Sequence, residues 1–390
     1  VLFGSLRGIL MIIFLAVISA FYLASVLLLL RGLLSLPKTG DPANLNFSVV
    51  IAAHNEENNI GACLDSILAQ NMPPDRLEII VVNDRSTDRT AEVVLEYISQ
   101  HRNISLINIE RTPPGLSPKK YAVSKGIEAS KGEIIVFTDA DCRVPERWLD
   151  TIDRSFTPET GLVQGITCYE RPPAMNSLFF GLQAVDFLSH GIVAAAGIGA
   201  GMPINSNANN MAFRRSAFVE CGGYGKSAGK VVSGDDDLLM QRIWKSGKWK
   251  IRYMADLKGA VTTAPADSVR SVFEQRKRWG SKTVHYNVMQ VLFLSCIFLF
   301  YLAIPVTLLC GFFNPWYFSA AVLMLFIKIA GEMVLMIPGS RIFGKQELRR
   351  YILPGSIIQL PMVLMAVFFG VFGKFNWKGR EFSRTVSSQE

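Results

Sequence analysis

Five short polar clusters in this chain carry residue types that can do chemistry. At 137–143 the sequence reads FTDADCR, so Asp139 and Asp141 sit one residue apart directly after the apolar run EIIVF. Two carboxylates at i and i+2 on a strand end can offer oxygen ligands to Mg²⁺ or Mn²⁺, directly or through water. A cation held there neutralises a diphosphate and helps it leave, which fits a nucleotide-diphosphate donor. Two similar turns precede it, His54-Asn55-Glu56 and Asn83-Asp84. Their carboxylates, Glu56 and Asp84, can hydrogen-bond a base and a ribose. Asp and Asn at strand ends are also ordinary turn formers and helix caps, and Ser86, Thr87 and Asp88 read as a cap for the helix that follows. Neither a G-x-G-x-x-G after the first strand nor a G-x-x-x-x-G-K-[ST] occurs, so no glycine loop grips phosphate here.

Two further clusters lie downstream. SGDDDLLMQRIWKSG at 233–247 reads as a helix with carboxylates at its N-terminus. One aspartate would satisfy the helix macrodipole. Three in a row repel one another and raise proton affinity, which suits a general base taking a proton from a hydroxyl. QRKRWG at 275–280 places Gln275, Arg278 and Trp279 within one helical turn. Arg can hold a diphosphate bidentately and Trp offers a flat apolar surface. The same residues also suit an amphipathic helix lying at a membrane surface.

The elements that must position these clusters are strands and helices in alternation. FSVVIAAHNEENNIGACLDSILAQ, LEIIVVNDRSTDRTAEVVLEYI and GEIIVFTDADCRVPERWL each read as buried strand, polar turn and helix. That alternation predicts an α/β fold with a mostly parallel, Rossmann-like sheet covered on both faces. Ligands bind such sheets beyond the carboxyl ends of the strands, where three of the polar clusters fall.

Composition adds a membrane. Half the residues are hydrophobic and 18% are charged, high and low for a soluble protein. The net charge of +8 comes without a Lys/Arg run interleaved with aromatics, which sets nucleic acid aside. Six scattered cysteines with no C-x-x-C spacing suggest neither a disulfide framework nor a zinc site, and a reducing compartment. No charge interrupts Gly8–Leu30, long enough to span a bilayer and too long for a signal peptide's apolar region. Two more spans are expected at about 288–313 and 316–337, separated at Asn314-Pro315, and a last apolar stretch at about 352–373.

The expected organisation is therefore an N-terminal helix and linker at 1–36, a globular region at 37–286, C-terminal helices at 287–373 and a basic tail at 374–390. Arg341, Lys345, Arg349 and Arg350, with Arg31 and Lys38, place the globular region in the cytoplasm. Lys374, Lys378, Arg380 and Arg384 would then lie outside if the last stretch crosses fully. Its Pro354, Gly355, Pro361, Gly370 and Gly373 suggest a re-entrant or broken helix that returns the tail. Lys328 and Glu332, i and i+4 within a span, read as a structural ion pair or as a functional intramembrane pair. The apolar segment 184–203 reads as a lining for lipid access or as a buried helix and loop.

In this order the motifs resemble the membrane-bound family 2 glycosyltransferases, whose catalytic domain is called GT-A. That family shows an H/Y-N-E turn, an N-D-x-S-x-D turn, a D-x-D, an E-D or D-D motif and Q-x-x-R-W. Here these look like residues 54–56, 83–88, 139–141, Asp235-Asp236 and 275–279, and they cover about 47–280. NANNMAFRRSAF at 207–218 looks like the segment before the acidic motif. The resemblance implies a GT-A domain carried by one N-terminal and about three C-terminal membrane helices. It implies an inverting enzyme that uses a nucleotide-diphosphate sugar, a UDP-sugar favoured, with Mg or Mn, and transfers to a lipid or lipid-linked acceptor.

Glu56 and Asp84 would contact the nucleoside, Asp139 the ribose or metal, Asp141 the metal, and Gln275, Arg278 and Trp279 the diphosphate and acceptor. Asp236, with Asp235 second, would be the base. The expected location is a multi-pass protein of a bacterial inner membrane with a cytoplasmic catalytic domain. Q-x-x-R-W is also common in processive polysaccharide synthases, the alternative within enzymes, although four spans are few for a polymer channel. A scaffold or transporter with a decayed domain is the alternative of another class. NWKGREF at 376–382 looks like the tail of membrane glycosyltransferases acting on carotenoid-type lipids.

Overall fold

The computed structural model describes residues 2–114, 116–224, 235–281, 286, 288–373, 375–377 and 380–382. The first helix, α1 (Leu2–Leu34), is apolar on nearly every face. At 1.5 Å per residue its 33 residues reach roughly 50 Å. Then come β1 (Phe47–Ala53), α2 (Ile60–Leu68), β2 (Leu77–Asp84), α3 (Thr90–Gln100), β3 (Ile104–Ile109), α4 (Pro118–Ala129) and β4 (Ile134–Phe137). The second half of the globular region holds α5 (Trp148–Asp153), β5 (Thr160–Gly165), β6 (Thr167–Tyr169), α6 (Ser177–Gly199), β7 (Met211–Arg214), α7 (Arg215–Glu220), α8 (Asp235–Lys245), β8 (Lys250–Met254), β9 (Val261–Thr263) and α9 (Val269–Ser281). Three long helices follow, α10 (Val288–Cys310), α11 (Pro315–Ile342) and α12 (Ile352–Phe372), and a short strand pair, β10 (Phe375–Trp377) with β11 (Arg380–Phe382).

Seven strands form one sheet in the order β3-β2-β1-β4-β7-β5-β8. Only β7 runs against the others, pairing antiparallel with both β4 and β5. The expected α/β sheet, mostly parallel, is therefore present. Alternation along β1 feeds two apolar layers. Phe47, Val49, Ile51 and Ala53 pack with α2 and Trp148 on one face, and Val50 packs with α4 residues Ala122, Val123 and Ile127 on the other. Parallel register aligns Ala53 with Asn83 and Val50 with Phe137. The loops after β1, β2 and β4 consequently leave one edge of the sheet.

Among the described residues five helices are long and apolar enough to cross a membrane: Gly8–Leu34, Ser177–Gly199, Val288–Cys310, Pro315–Ile342 and Gln346–Gly370. Four were expected from the sequence. The fifth, α6, lies inside the segment read as globular, and packs against α1 so closely that glycine is required. A Cβ on Gly32 would meet Ala196 O at 2.1 Å, and one on Gly199 would meet Gly32 O at 2.1 Å, the close approach that small residues permit between membrane helices. Segment 184–203 is thus largely buried helix. The break expected at Asn314-Pro315 is present: Asn314 caps α11 by accepting from Trp316 N at 3.0 Å, with Pro315 at the first helical position.

Inside the bundle Lys328 and Glu332 pair at 2.6 Å. Lys328 Nζ also donates to Ser356 O at 2.6 Å, and Tyr301 Oη donates to Glu332 at 2.6 Å. Tyr22 Oη donates to Lys328 O at 3.1 Å. The pair thereby ties α1, α10, α11 and α12 together, which is the structural reading of these two charges.

Candidate active site

The loops after β1 and β2 are laced into one unit. Asn55 N donates to Ser86 Oγ at 3.0 Å and Thr87 N to Asn55 Oδ1 at 2.8 Å. Glu56 N donates to Thr90 Oγ1 at 2.8 Å, and Glu57 N to Asp88 Oδ2 at 3.0 Å. Asp88 also accepts from Thr90 N at 3.0 Å at the start of α3; Ser86 and Thr87 bond Asn55 instead, and the N-cap position is Arg89, so of the three residues read as a cap only Asp88 contacts the helix start. Two non-glycine residues have positive φ here, Asn55 at 54° and Arg85 at 56°. For Arg this left-handed conformation costs about 1–2 kcal/mol, and such strain gathers at functional sites. Arg85 folds back on its neighbour, with Nε 2.8 Å from Asp84 Oδ1. The Glu56 carboxylate is half-buried and accepts from Asn59 Nδ2 at 2.9 Å.

Beyond β4 the chain puts Ala140 into the core and leaves Asp139 half-exposed and Asp141 exposed. Lys119, at the start of α4, holds Asp139 Oδ1 at 2.9 Å. The donors at this strand end are hard carboxylate oxygens. Among the described residues no three His, Cys, Asp or Glu converge as a metal cage. Hard carboxylate oxygens fit a small divalent cation of the kind bound by one or two carboxylates and completed by water and phosphate. Behind the loop lie two buried thiols. Cys63 Sγ sits 3.6 Å from Asp139 O, and burial, then the neighbouring carboxylates against Arg143, pushes its pKa up to about 12.

The segment before β7 connects this strand end to the acidic helix. Asn209 Nδ2 lies 3.3 Å from Cys142 Sγ, while Ala208 N donates to Asp236 Oδ2 at 3.2 Å. Asp236 also accepts from Asp237 N at 2.7 Å. Asp237 is fully buried and accepts from Ser206 N and from Tyr286 Oη, the latter at 2.8 Å. Both aspartates hold the loop before β7, Asp237 through Ser206 and Asp236 through Ala208, and Asp237 is the more enclosed of the two. Asp235 begins α8, and its side chain lies outside the described residues.

Helix α9 brings Gln275 to Tyr169, whose Oη donates at 3.3 Å. Trp279 lies 5.2 Å from the His190 ring and 6.0 Å from Phe187, ring centre to ring centre. Arg278 is half-exposed on the same turn. The residue between these motif positions was missed in the sequence. Arg276 is buried, pairs with Asp186 of α6 through Nε at 2.8 Å, and lies 4.2 Å over the Trp279 ring. His190 O accepts from Asn205 Nδ2 at 3.2 Å, one residue before the Ser206 that holds Asp237. Trp279 and the acidic helix are therefore linked through α6. Lys119 left one usable signal: a cation in the first turn of a helix opposes the macrodipole and needs a local reason. Arg276 and Asp186 left none, because pairing between segments 90 residues apart has no local signature.

The mostly parallel sheet, with the 207–210 segment joining its strand-end loops to α8, is a GT-A-like architecture, and comparison with known proteins agrees. The model for glycosyl transferase family 2 matches residues 48–166, and that for glycosyl transferase family group 2 matches 134–333, more than half the chain. The chain belongs to the family 2 glycosyltransferases. It is 35% identical over 104 residues to glycosyltransferase AglE of Haloferax volcanii, covering 26% of this chain and 33% of that protein. It is 36% identical over 111 residues to a dolichyl-phosphate beta-glucosyltransferase of Trichomonas vaginalis, covering 27% and 33%. The match spans about a third of each of these two relatives' own length. In fold it is similar to the mannosyltransferase PcManGT of Pyrobaculum calidifontis, solved with GDP-Man and Mn²⁺. That likeness has a TM-score of 0.58 at 20% identity, over 92% of this chain and 98% of that one.

Proposed function

We propose that this chain is an inverting glycosyltransferase that moves a sugar from a nucleotide-diphosphate sugar to a lipid or lipid-linked acceptor at the cytoplasmic face of a membrane. One observation carries the reading: the strand-end loops bearing Asp84, Asp139 and Asp141 leave the same sheet edge, and the 207–210 segment joins that edge to Asp236. Glu56 and Asp84 receive the nucleoside. A divalent cation, Mg²⁺ or Mn²⁺, held by Asp141 with Asp139 would neutralise charge on the diphosphate. Lys119 keeps Asp139 in place. Asp236 takes the proton from the acceptor hydroxyl as its oxygen attacks the anomeric carbon. The bond to the diphosphate breaks, and the nucleotide diphosphate departs with the electron pair. Gln275, Arg278 and Trp279 border the diphosphate and acceptor.

Membrane association is supported by the five long apolar helices. The cytoplasmic side follows from the basic residues at the ends of α1 and α11. A lipid acceptor accords with the dolichyl-phosphate enzyme among the relatives. The Pyrobaculum structure holds GDP-Man, so GDP-sugars stand beside UDP-sugars as donors to test.

The test is transfer by the purified chain in native lipids, across UDP- and GDP-sugars, with Mn²⁺ or EDTA, beside Asp141→Asn. Metal-dependent turnover that disappears in the variant is expected. Product mass distinguishes a singly glycosylated lipid from a polymer, the outcome that Q-x-x-R-W would favour in a processive synthase. Absence of both binding and turnover for every donor, with and without metal, would overturn the proposal.

A further inference from the structure

A cavity of about 210 Å³ lies away from the strand-end loops, between β6, the first half of α6 and the connection from α11 to α12. Its floor is apolar. Phe180, Ala184 and Leu188 form one stripe of α6, and Leu348 and Tyr351 face them. Its charged lining is Arg171, Lys345, Arg350 and Glu347, three cations against one anion. Each cation is positioned by the fold. Arg171 donates to Met175 O at 2.9 Å, Arg350 lies 4.8 Å over the Tyr351 ring, and Lys345 is half-buried directly after the positive-φ Gly344. The cavity sits where α6, α11 and α12, three helices long enough to cross a membrane, begin or end.

Size and charge narrow the occupant. The volume is below the roughly 300–1,000 Å³ of sites that enclose a drug-sized ligand, too small for a nucleotide sugar. An apolar floor with a cationic rim at helix ends matches an acidic headgroup followed by the start of an apolar chain. We propose that this cavity binds the acidic headgroup of a membrane lipid. Tyr169 links it to the candidate active site, since its ring lines the cavity and its hydroxyl donates to Gln275. The site stands independently of the donor chemistry proposed above.

Binding by the full chain in neutral detergent tests this, read by native mass spectrometry. The probes are dioctanoyl phosphatidylglycerol, dioctanoyl phosphatidylcholine and inorganic phosphate. The acidic lipid is expected to bind about ten- to thirty-fold tighter than phosphatidylcholine. Lys345→Gln with Arg350→Gln should abolish that preference. Arg31→Gln with Arg341→Gln removes the same charge outside the cavity and should keep it. Ala184→Phe, which fills the floor, should weaken both lipids. Equal affinity for the two lipids overturns the proposal, as does equal loss in the two charge variants, which would mean general surface attraction. Inorganic phosphate binding as tightly as the acidic lipid would make it a free-anion site and overturn it too.

Discussion

Asp236 and Asp237 differ in what surrounds them. Asp237 is enclosed and accepts from Ser206 N and Tyr286 Oη, so its charge positions the loop before β7. Asp236 also accepts from Ala208 N and Asp237 N, but as the proposed base its change to Asn should cut kcat by about 10²–10⁴-fold with donor affinity nearly unchanged. Asp237→Asn should instead lower the melting temperature, because hydrogen bonds to a charged group contribute about 1.5–3 kcal/mol. Steady-state kinetics and melting on both variants check the assignment, and the reverse pattern would exchange the roles. Lys119→Met removes the cation beside Asp139 without touching the reacting atoms. A loss of about 10–100-fold in kcat/KM is expected, the usual effect of removing a partner that orients a ligand; full activity would make the pair incidental. Cys63 gives a pH prediction. Its pKa lies near 12 when folded against 9.0 ordinarily, so the folded state holds the proton more tightly. The stabilisation this brings is complete below pH 9 and is lost as pH rises toward 12. Melting temperature should fall over that range, with a shallower slope in Cys63→Ala; equal slopes would show that the thiol does not govern the loss.

At the scale of elements, α9 is held from two sides. Arg276 fixes it to α6 through Asp186, and Gly280 and Gly370 let it approach α12, where a Cβ on either would come within 2.7 Å of backbone. Removing one partner of a buried pair leaves a charge with no counter-ion, which costs about 3–5 kcal/mol. Arg276→Met should thus lower the melting temperature sharply, and adding Asp186→Leu should restore most of it. Failure of the double variant to recover would mean that Arg276 acts through its contact with Trp279 instead. These contacts also show what the sequence could reveal. Strand, turn and helix were legible at β1, β2 and β4 because apolar runs and polar turns are local, and the acidic strand ends came with them. The lacing of Asn55 to Ser86 and Thr87, the hold of Lys119 on Asp139 and the Arg276–Asp186 pair depend on segments 20 to 90 residues apart. Helix α6 was legible only as one of two readings of 184–203: Gln183, Asp186 and His190 break its apolar run, and Gln183 is held by Ala266 and Asp186 by Arg276, partners more than 80 residues away.

For the whole molecule, α12 decides on which side of the membrane the chain leaves the bundle. Its start packs on α6, where a Cβ on Gly355 would meet Val185 at 2.8 Å. Its end packs on α9, with Phe369 5.9 Å from Phe273, ring centre to ring centre, and Gly370 against Lys277 and Ser281. Both ends therefore contact helices of the candidate active site, whereas a helix crossing from face to face would carry its far end away from them. Pro361 lies inside α12, and proline removes one backbone hydrogen bond and favours a bend. The arrangement accords with a helix that lies along or re-enters one face and returns the basic tail to the side of the catalytic region. A cysteine introduced at Glu381, on β11, should react with a membrane-impermeant maleimide only after cells are permeabilised. A second cysteine at Phe313, in the exposed turn between α10 and α11, should be labelled in intact cells. Labelling of both from outside would mean that α12 crosses fully and that the catalytic region and the tail lie on opposite sides.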